Sequence, residues 1–390
     1  MLRFQTAGES HGQCLTAWVA GLPLGVPIEV AFINRELRRR QAGYGRGGRM
    51  KIERDQVQIL SGVRHGKTIG APITLQIENR DWTHWEDALP VEANPALTEK
   101  QRRLTQPRPG HADLAGALKF NLHDARYILE RASARETAAR VAAGAVAKLF
   151  LRHFGIEVLS HTLAIGDAKL ERAATWEEIV AACEDTDAEI RCVDNQLATE
   201  MKKRIDHAVA ERDSLGGIFE VVAHPVPPGL GSHAHWDERL DARLAQAVMS
   251  IQAVKAVEIG TGVANAAAFG SEVHDEIGYD HAARRFTRAS NHAGGLEGGI
   301  TIGEDVVVRG YFKPISTLRR PLPSVDLESK ETVKAAYERS DVCVVPAAGV
   351  IGEAMVALVL AGAVREKFGG DTLEEARRNY DAFQKQLRDF

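Results

Sequence analysis

The feature that most constrains the fold is an apolar stretch near the C-terminal end, VIGEAMVALVLAGAV, at residues 350–364. It is shorter than the roughly 20 residues that an α-helix needs to cross a bilayer, and Glu353 interrupts it. The sequence therefore predicts a buried core helix over residues 349–368, which ends at Gly369 and Gly370.

Short runs with the character of β-strands recur along the chain, and several of them alternate apolar with polar residues. Such alternation is typical of antiparallel strands with one face toward the core. The runs do not alternate strictly with helices, which argues against a doubly wound sheet. We therefore expect an α+β fold, and no sharp change in composition divides residues 1–390 into separate domains. The predicted strands cover residues 15–21, 27–33, 73–79, 217–226 and 306–312.

Two further helices are predicted from apolar residues at helical spacing. The first covers residues 134–154 and ends at Gly155, and the second covers residues 237–254. Ser133 and Glu136 match the S-x-x-E pattern of a capping box at the start of the first helix.

The overall composition is that of an ordinary soluble globular protein. The 390 residues are 44% hydrophobic and 26% charged, with a net charge of −4, so no basic excess points to nucleic acid or a membrane. The N-terminus has no apolar run of signal-peptide length. The four cysteines show no C-x-x-C spacing, so we expect no metal site and no disulfides, and free thiols fit a cytoplasmic location.

Two glycine-rich segments match nucleotide-binding patterns only in part. GYGRGG, at residues 43–48, has no apolar strand before it and no apolar helix after it, as a dinucleotide fingerprint requires. SGVRHGKT, at residues 61–68, has Ser61 where a P-loop needs glycine. A β-turn with a solvated Lys67 is the simpler interpretation of the second segment.

Arginines gather in two other segments. RRRQAGYGRGGRM, at residues 38–50, combines glycines that allow close backbone approach with arginines that bind phosphate or carboxylate. A solvated turn or an RNA-binding arm would give the same pattern, although Tyr44 is the sole aromatic there for base stacking. Arg131 and Arg135 lie at a predicted helix start, where acidic side chains are expected. They either bind an anion or pair with carboxylates elsewhere.

Several loop segments carry residues suited to proton transfer or to phosphate binding. His11 lies in AGESHGQ at residues 7–13, and His111 lies in PRPGHAD at residues 107–113. A lone histidine is often structural, but histidine is the side chain that moves protons near neutral pH. The other candidate segments are SNHAGGLEGGI at 290–300, FKPIST at 312–317, and ERSDVCVVPAAG at 338–349, in which an apolar strand is predicted to follow Asp341.

Together these segments resemble the chorismate synthase family, in the same order and along nearly the whole chain. The motifs that carry the resemblance are AGESHG, RRRQAGYGRGGRM, PRPGHAD, RASARETAARVAAGA, GLGS, LDARLAQAVMSIQAVKAVEIG, SNHAGGLEGGI, KPIST and RSDVCVVPAAG. Each motif alone is a moderate signal, but their number and order make a chance similarity implausible.

The resemblance implies a specific reaction and fold. Members of this family are carbon–oxygen lyases that convert 5-enolpyruvylshikimate 3-phosphate to chorismate, the last step of the shikimate pathway. They remove the 3-phosphate and a C6 hydrogen by anti-1,4-elimination, which requires reduced FMN (FMNH2) although there is no net redox change. The family fold is a sandwich with helices between antiparallel sheets, assembled as a homotetramer. We accordingly expect a small-molecule substrate, no nucleic acid and no membrane partner.

The family's functional residues fall on matching positions of this sequence. The implied roles are a proton supplied near the flavin by His11, a reduced charge on the departing phosphate by His111, and relay of the C6 hydrogen near flavin N5 by Asp341. The residues expected to bind FMN are Arg131, Ala132, Ser133, Gln252, Ala253, Gly298, Lys313, Pro314, Ile315, Ser316, Thr317 and Arg339. Those expected to bind anionic groups of the substrate or of NADP are Arg40, Arg46, Arg49, Arg108 and Arg135.

Two alternative functions fit parts of the pattern. A flavin-dependent oxidoreductase acting on a phosphorylated substrate would show net electron transfer, whereas the elimination shows none. An RNA-binding protein that uses residues 38–50 would show steeply salt-dependent binding. The family includes forms that reduce their own FMN with NADPH and forms that rely on an external reductant. No additional reductase domain is visible in the sequence, which favours an external reductant.

Overall fold

The apolar C-terminal stretch forms the longest helix in the computed structural model, which describes residues 2–47, 54–93, 102–338 and 341–390. This helix, Val345–Phe368, is long and apolar enough to cross a membrane, but 94% of its most apolar window is buried inside the protein. The predicted core helix is therefore confirmed, and it begins earlier than expected, at Val345.

The described residues form helices and mostly short strands. The α-helices are α1 (Val30–Gln41), α2 (Asp113–Phe120), α3 (Arg126–Ala132), α4 (Thr137–Arg152), α5 (Trp176–Cys183), α6 (Asn195–Ala210), α7 (Leu240–Met249), α8 (Gly270–Val273), α9 (Val345–Phe368) and α10 (Leu373–Asp389). Short 3-10 helices cover Arg80–His84, Ala134–Glu136 and Gly262–Ala267. The strands are β1 (Arg3–Ala7), β2 (Cys14–Ala20), β3 (Val57–Ser61), β4 (Val63–Arg64), β5 (Lys67–Thr68), β6 (Ile73–Glu78), β7 (Glu157–Ile165), β8 (Ala168–Lys169), β9 (Gly217–His224), β10 (Val254–Ile259), β11 (Ile277–Asp280), β12 (Arg285–Arg288), β13 (Leu296–Glu297), β14 (Ile300–Thr301), β15 (Val306–Phe312), β16 (Pro323–Val325) and β17 (Thr332–Lys334).

Two antiparallel sheets enclose a layer of helices. One sheet has the strand order β1-β2-β6-β3, and the other has the order β10-β15-β9-β7-β8. Helix α4 packs against β1, β2 and β6 of the first sheet, and α9 packs against β7, β9 and β15 of the second. Each sheet turns its apolar face inward, as the alternation of buried and half-buried residues along β2 and β15 shows.

The two helices of the inner layer, α4 and α9, pack unusually close together. A Cβ atom added to Gly144 of α4 would lie 2.3 Å from the Cβ of Ala354 and 2.4 Å from its Cα. Real Cβ atoms do not approach backbone this closely, so the crossing requires glycine at this position.

A buried group of four charged side chains ties α1 to these two helices. Arg39 of α1 donates to Glu353 of α9 at 2.7 Å, and Lys148 of α4 donates to Glu36 of α1 at 2.6 Å. Lys148 also contacts Glu353, and Arg39 also donates to Glu36 at 2.8 Å. Two positive and two negative charges balance, which allows this group to be stable in the protein interior.

Several sequence predictions of strands and turns are confirmed. The predicted strands at 15–21, 73–79, 217–226 and 306–312 correspond to β2, β6, β9 and β15. The segment at 61–68 forms the hairpin of β4 and β5, and Lys67 is exposed there as predicted. The four cysteines are free thiols.

Two predictions of strands are wrong. Residues 30–33 of the strand predicted at 27–33 form the start of α1, because Phe32, Ile33 and Leu37 bury one face of a helix. The segment after Asp341 leads into α9 and not into a strand, since Pro346 in the first turn is compatible with a helix start.

The predicted helix at 134–154 is interrupted at its start, and the one at 237–254 is too long. Residues 134–136 form a 3-10 turn, and Ser133 accepts a hydrogen bond from the backbone N–H of Arg135. Glu136 does not complete a capping box, because its carboxylate accepts from Thr6 and Arg140 instead. Helix α7 ends at Met249, and the chain turns through Ala253, which has a φ of 70°, into β10.

We expect Gly144→Ala to destabilise the protein, because the added methyl group would force α4 and α9 apart. Overpacking of this kind costs about 1–3 kcal/mol. Gly362→Ala is the matched control within α9, since its added Cβ would lie 3.4 Å from the nearest heavy atom, the flexible end of Arg243. That control should be neutral or stabilising by up to about 1 kcal/mol, because alanine favours the helix. Urea unfolding of both variants at equal protein concentration measures the difference, and equal effects would contradict the close crossing.

We also expect a specific pH dependence from Glu36. Burial raises its pKa, but Lys148 and Arg39 outweigh burial and lower the pKa from 4.5 to about 2. The ionised carboxylate therefore contributes its full stability above pH 4.5, and this contribution is lost as the pH falls toward 2.

Glu36→Gln should cost about 3–5 kcal/mol at pH 7, because it leaves buried positive charge uncompensated. The difference in unfolding free energy between the wild type and this variant should shrink between pH 4.5 and 2. Glu171→Gln, at an exposed ion pair with Lys169, is the control and should have little effect. A difference in unfolding free energy that stays constant between pH 4.5 and 2 would contradict the lowered pKa of Glu36.

Candidate active site

A cavity of about 790 Å³ opens at the amino-terminal ends of α4 and α9. Arg135 and Thr137 line it at the start of α4, and Val344, Ala347 and Ile351 line it at the start of α9. The amino-terminal end of a helix carries partial positive charge and unpaired N–H groups. Two such ends at one cavity favour a ligand with negative charge.

Most of the residues predicted for the site lie on the wall of this cavity, although they are far apart in sequence. The structure brings together His11, Arg40, Arg46, Arg108, His111, Ala132, Ser133, Arg135, Gln252, Ala253, Lys313, Ile315, Ser316, Thr317 and Asp341.

Other predicted residues lie elsewhere. Arg131 donates to the backbone oxygen of Thr6 at 2.7 Å, outside the cavity wall, and Pro314 does not line the wall. Arg49 and Arg339 lie outside the described residues.

Gly298 does not reach the cavity of its own chain. It lies between β13 and β14, and the next residue, Gly299, accepts a hydrogen bond from the backbone N–H of Leu240 at the start of α7. Gln252 and Ala253 follow the other end of α7, so this helix of 10 residues, about 15 Å long, separates Gly298 from the cavity.

His111 lies in a loop that is held by one buried carboxylate. Nδ1 of His111 is 2.5 Å from Oδ1 of Asp113, and Nε of Arg108 donates to Oδ2 of Asp113 at 2.8 Å. Burial raises the pKa of Asp113, but the hydrogen bonds from His111 and Arg108 outweigh it and hold this pKa well below its usual range. Asp113 is therefore ionised, and an Nδ1–H of His111 can donate to it.

His11 has a similar carboxylate partner. Oε2 of Glu130 accepts from the backbone N–H of His11 at 2.8 Å, and Oε1 of Glu130 lies 3.0 Å from Nδ1 of the imidazole. The imidazole also stacks on the ring of Trp85, with the centroids 4.0 Å apart. Burial raises the pKa of Glu130, but the bonds from His11 lower it to a greater extent. The orientation of His11 is therefore fixed by a carboxylate and an aromatic ring.

Arg40 and Arg135 share the buried carboxylate of Asp55. Arg40 donates to it at 2.8 Å, and Arg135 donates at 2.6 Å. Burial raises the pKa of Asp55, and the two arginines lower it to a greater extent. Arg135 therefore does pair with a carboxylate elsewhere in the fold, and it shares this carboxylate with a second cation of the wall.

Asp341 lies beside the glycine-rich loop. Nη1 of Arg46 is 3.3 Å from Oδ2 of Asp341, and the backbone N–H of Gly47 donates to Oδ1. The carboxylate is partly exposed to the cavity, with 20% of the side chain accessible. It is therefore available to act as a base while its position is fixed.

The three consecutive arginines of the RRR run have different surroundings. Arg38 is exposed and pairs with Asp187, Arg39 belongs to the buried group around Glu353, and Arg40 faces the cavity. The run is therefore not a continuous solvated patch of the kind that an RNA-binding arm would present.

The cavity wall has a cationic part and an apolar part. Apolar surface comes from Ile251, Phe312, Val344, Ala347 and Ile351, which line the same cavity as the arginines and histidines. This arrangement suits ligands that combine flat or apolar rings with phosphate or carboxylate groups.

Sequence analysis did not single out several residues of the site. Trp85 and Arg102 line the cavity, and the guanidinium carbon of Arg102 lies 4.0 Å from the centroid of the Trp85 ring. Both come from a segment rich in polar residues without a recognisable motif. Asp55 and Glu130 act from behind the wall, and Glu130 directly precedes the motif that contains Arg131. The sequence signal that could have identified Glu130 is a carboxylate directly before a cationic motif.

Comparison with known proteins agrees with the motif pattern. A family model described as chorismate synthase matches residues 2–364. The chain is 60% identical over 390 residues to the chorismate synthase of Solibacter usitatus, and 61% identical over 395 residues to that of Acidobacterium capsulatum. Both alignments cover 100% of each chain.

A solved structure agrees with the fold. A structure described as "Crystal Structure of Chorismate Synthase" matches with a TM-score of 0.80 and 44% sequence identity, and the match covers 100% of this chain and 99% of that one. The predicted α+β fold with helices between antiparallel sheets is therefore confirmed. The chain belongs to the chorismate synthase family.

Proposed function

We propose that this protein is a carbon–oxygen lyase that converts 5-enolpyruvylshikimate 3-phosphate to chorismate and phosphate. The observation that supports this most strongly is a single cavity in which three histidines, three carboxylates and five arginines of the described residues share the wall with apolar side chains. The substrate carries a phosphate and two carboxylates, so its binding requires a cationic cavity in a chain with a net charge of −4. The reaction removes the 3-phosphate and a C6 hydrogen by anti-1,4-elimination in the shikimate pathway.

The residues present fit reduced FMN (FMNH2) as the cofactor. Oε1 of Gln252 is buried at the cavity, and within the described part of the chain it has no hydrogen-bond partner. Such an acceptor suits a ring N–H group of a flavin, and the apolar side chains suit its rings. Residues 313–317, with Lys313 and two hydroxyl groups, would hold the flavin phosphate. When bound, reduced FMN supplies an electron-rich ring, and it is recovered in the reduced form after each turnover.

His111 is proposed to reduce the charge of the departing phosphate. Its Nδ1 is engaged by Asp113, so Nε2 is the ring nitrogen that donates a proton to a phosphate oxygen as the C3–O bond breaks. Arg108, which also donates to Thr317 at 2.9 Å, lies next to His111 and would neutralise the remaining negative charge.

His11 and Asp341 are proposed to handle the other protons. The carboxylate of Asp341 is the base that receives the hydrogen removed from C6. His11, which is held by Glu130 and Trp85, supplies a proton near the flavin and so controls the charge of the cofactor site. Because both side chains are fixed by neighbours, little reorganisation is needed when the ligands bind.

The cationic side chains are proposed to divide between the two ligands. Arg40, Arg46, Arg108 and Arg135 would bind the anionic groups of the substrate or of NADP. Arg49 and Arg339 lie outside the described residues. Arg49 remains a prediction for binding the anionic groups of the substrate or of NADP, and Arg339 remains a prediction for binding FMN.

A homotetramer, as implied by the family resemblance, is also part of the proposal. Gly298 lies far from the cavity of its own chain, so a contact with FMN would have to come from a neighbouring copy. Exposed apolar side chains such as Phe269, Ile277 and Phe286 offer surface for contacts between copies.

Residues 1–390 would act as one domain, because both sheets pack on the same layer of helices. The free thiols support a cytoplasmic location. The burial of Arg39 and Arg40 and of helix α9 supports a protein without a nucleic acid or membrane partner.

An anaerobic assay with 5-enolpyruvylshikimate 3-phosphate and chemically reduced FMN tests the proposed function. We expect equimolar chorismate and phosphate, with many turnovers for each flavin, because the elimination consumes no reductant. Oxidation of one flavin for each product would instead identify an oxidoreductase. Replacing the chemical reductant by NADPH shows whether the protein reduces its own FMN, and we expect no turnover in that case without an external reductase.

Replacement of His111 by alanine tests the proposed proton donor. We expect kcat to fall by about 100- to 10,000-fold, which is the usual contribution of general acid–base catalysis. His207→Ala, on the exposed surface of α6, is the matched control and should keep the activity of the wild type. Full activity of His111→Ala in the elimination assay would exclude the assigned role.

A further inference from the structure

We propose that Asp113 is the positioning residue that holds both Arg108 and His111 in place for departure of the phosphate. This inference rests on the proposed function, because it assigns the support of two residues that act on the substrate phosphate. Asp113 lies behind the cavity wall and is not itself among the lining residues.

Both carboxylate oxygens of Asp113 contact Arg108, and one of them also contacts His111. Oδ2 accepts from the backbone N–H of Arg108 at 3.1 Å and from its Nε at 2.8 Å. Oδ1 lies 2.5 Å from Nδ1 of His111 and accepts from Nη2 of Arg108 at 3.1 Å. One side chain thus fixes the loop backbone, a guanidinium group and an imidazole at the same time.

The burial of Asp113 gives this arrangement its rigidity. The residue is 0% exposed, whereas the side chain of His111 is 17% exposed and faces the cavity. Asp113 is also the first residue of α2, where the helix dipole favours a negative charge. The hydrogen bonds hold its pKa well below the usual range, so the carboxylate remains ionised at neutral pH.

The position of the proton on His111 follows from this contact. Nδ1 of His111 lies 2.5 Å from Oδ1 of the ionised Asp113, which only accepts, and 3.1 Å from Nη2 of Arg108, which only donates. The shorter contact is the one to the carboxylate, so it assigns a hydrogen to Nδ1. The other nitrogen, Nε2, is then the one that binds and releases the catalytic proton. Loss of Asp113 would permit the opposite tautomer and would free Arg108 to rotate.

A double-mutant cycle tests whether Asp113 acts through His111. We expect Asp113→Asn to lower kcat by a factor between about ten and the loss seen in His111→Ala, and to raise KM because Arg108 is released. In the combined variant, Asp113→Asn should lower kcat much less than it does in the wild type, since there is no imidazole left to position and only its effect through Arg108 remains. If the losses in kcat of the two single variants multiply in the combined variant, the proposal is overturned.

The control for this cycle is a carboxylate in the neighbouring hairpin. Asp326 accepts from the hydroxyl group of Thr105 at 2.6 Å and does not line the cavity, so Asp326→Asn should leave kcat and KM unchanged. Thermal unfolding and FMN binding are measured for every variant. An Asp113→Asn protein that is less stable but has the kcat and KM of the wild type would also overturn the proposal.

A second measurement needs neither activity nor an Asp113 variant. The protein is labelled with 15N-histidine, and the His111 signals are identified by their loss in His111→Gln. We expect the neutral ring to carry its hydrogen on Nδ1, and a neutral ring protonated on Nε2 would contradict the contact with Asp113. This result stands even if the elimination assay of the wild type fails, so failure of the proposed function and failure of this inference are distinguishable.

Discussion

The close crossing of α4 and α9 is the constraint on which the rest of the structure depends. Gly144 lets the two helices approach so that a single apolar layer fills the space between the sheets. The amino-terminal ends of both helices open into the same cavity, where their dipoles favour anions. The crossing therefore contributes both to the stability of the core and to the electrostatics of the site.

Buried carboxylates hold the cationic side chains of the cavity in place. Asp55 holds Arg40 and Arg135, Asp113 holds Arg108 and His111, and Glu130 holds His11. Long side chains of arginine would otherwise lose much freedom when a ligand binds. Because the carboxylates already fix the arginine side chains, the entropy of these side chains is lost on folding and not on ligand binding. The ligand then meets cations in a defined geometry.

The sequence predicted the fold class and the residues of the cavity better than it predicted local structure. The start of α1 resembles a strand in the sequence because the buried face of the helix continues with Glu36, Arg39 and Arg40, and these charges hide the apolar period. Glu136 fits a capping box by spacing, but tertiary partners compete for its carboxylate. Asp55 could not be assigned from sequence, since its role depends on arginines from α1 and from the start of α4 that only folding brings together.

The central claim is that an anionic substrate binds to cations that are already in position. The most direct measurement is a crystal structure of the protein with FMN and 5-enolpyruvylshikimate 3-phosphate bound. The account predicts that the substrate phosphate lies beside Arg108 and His111, and that both side chains keep their hydrogen bonds to Asp113. A substrate bound elsewhere, or arginines that leave their carboxylates to reach it, would contradict the account.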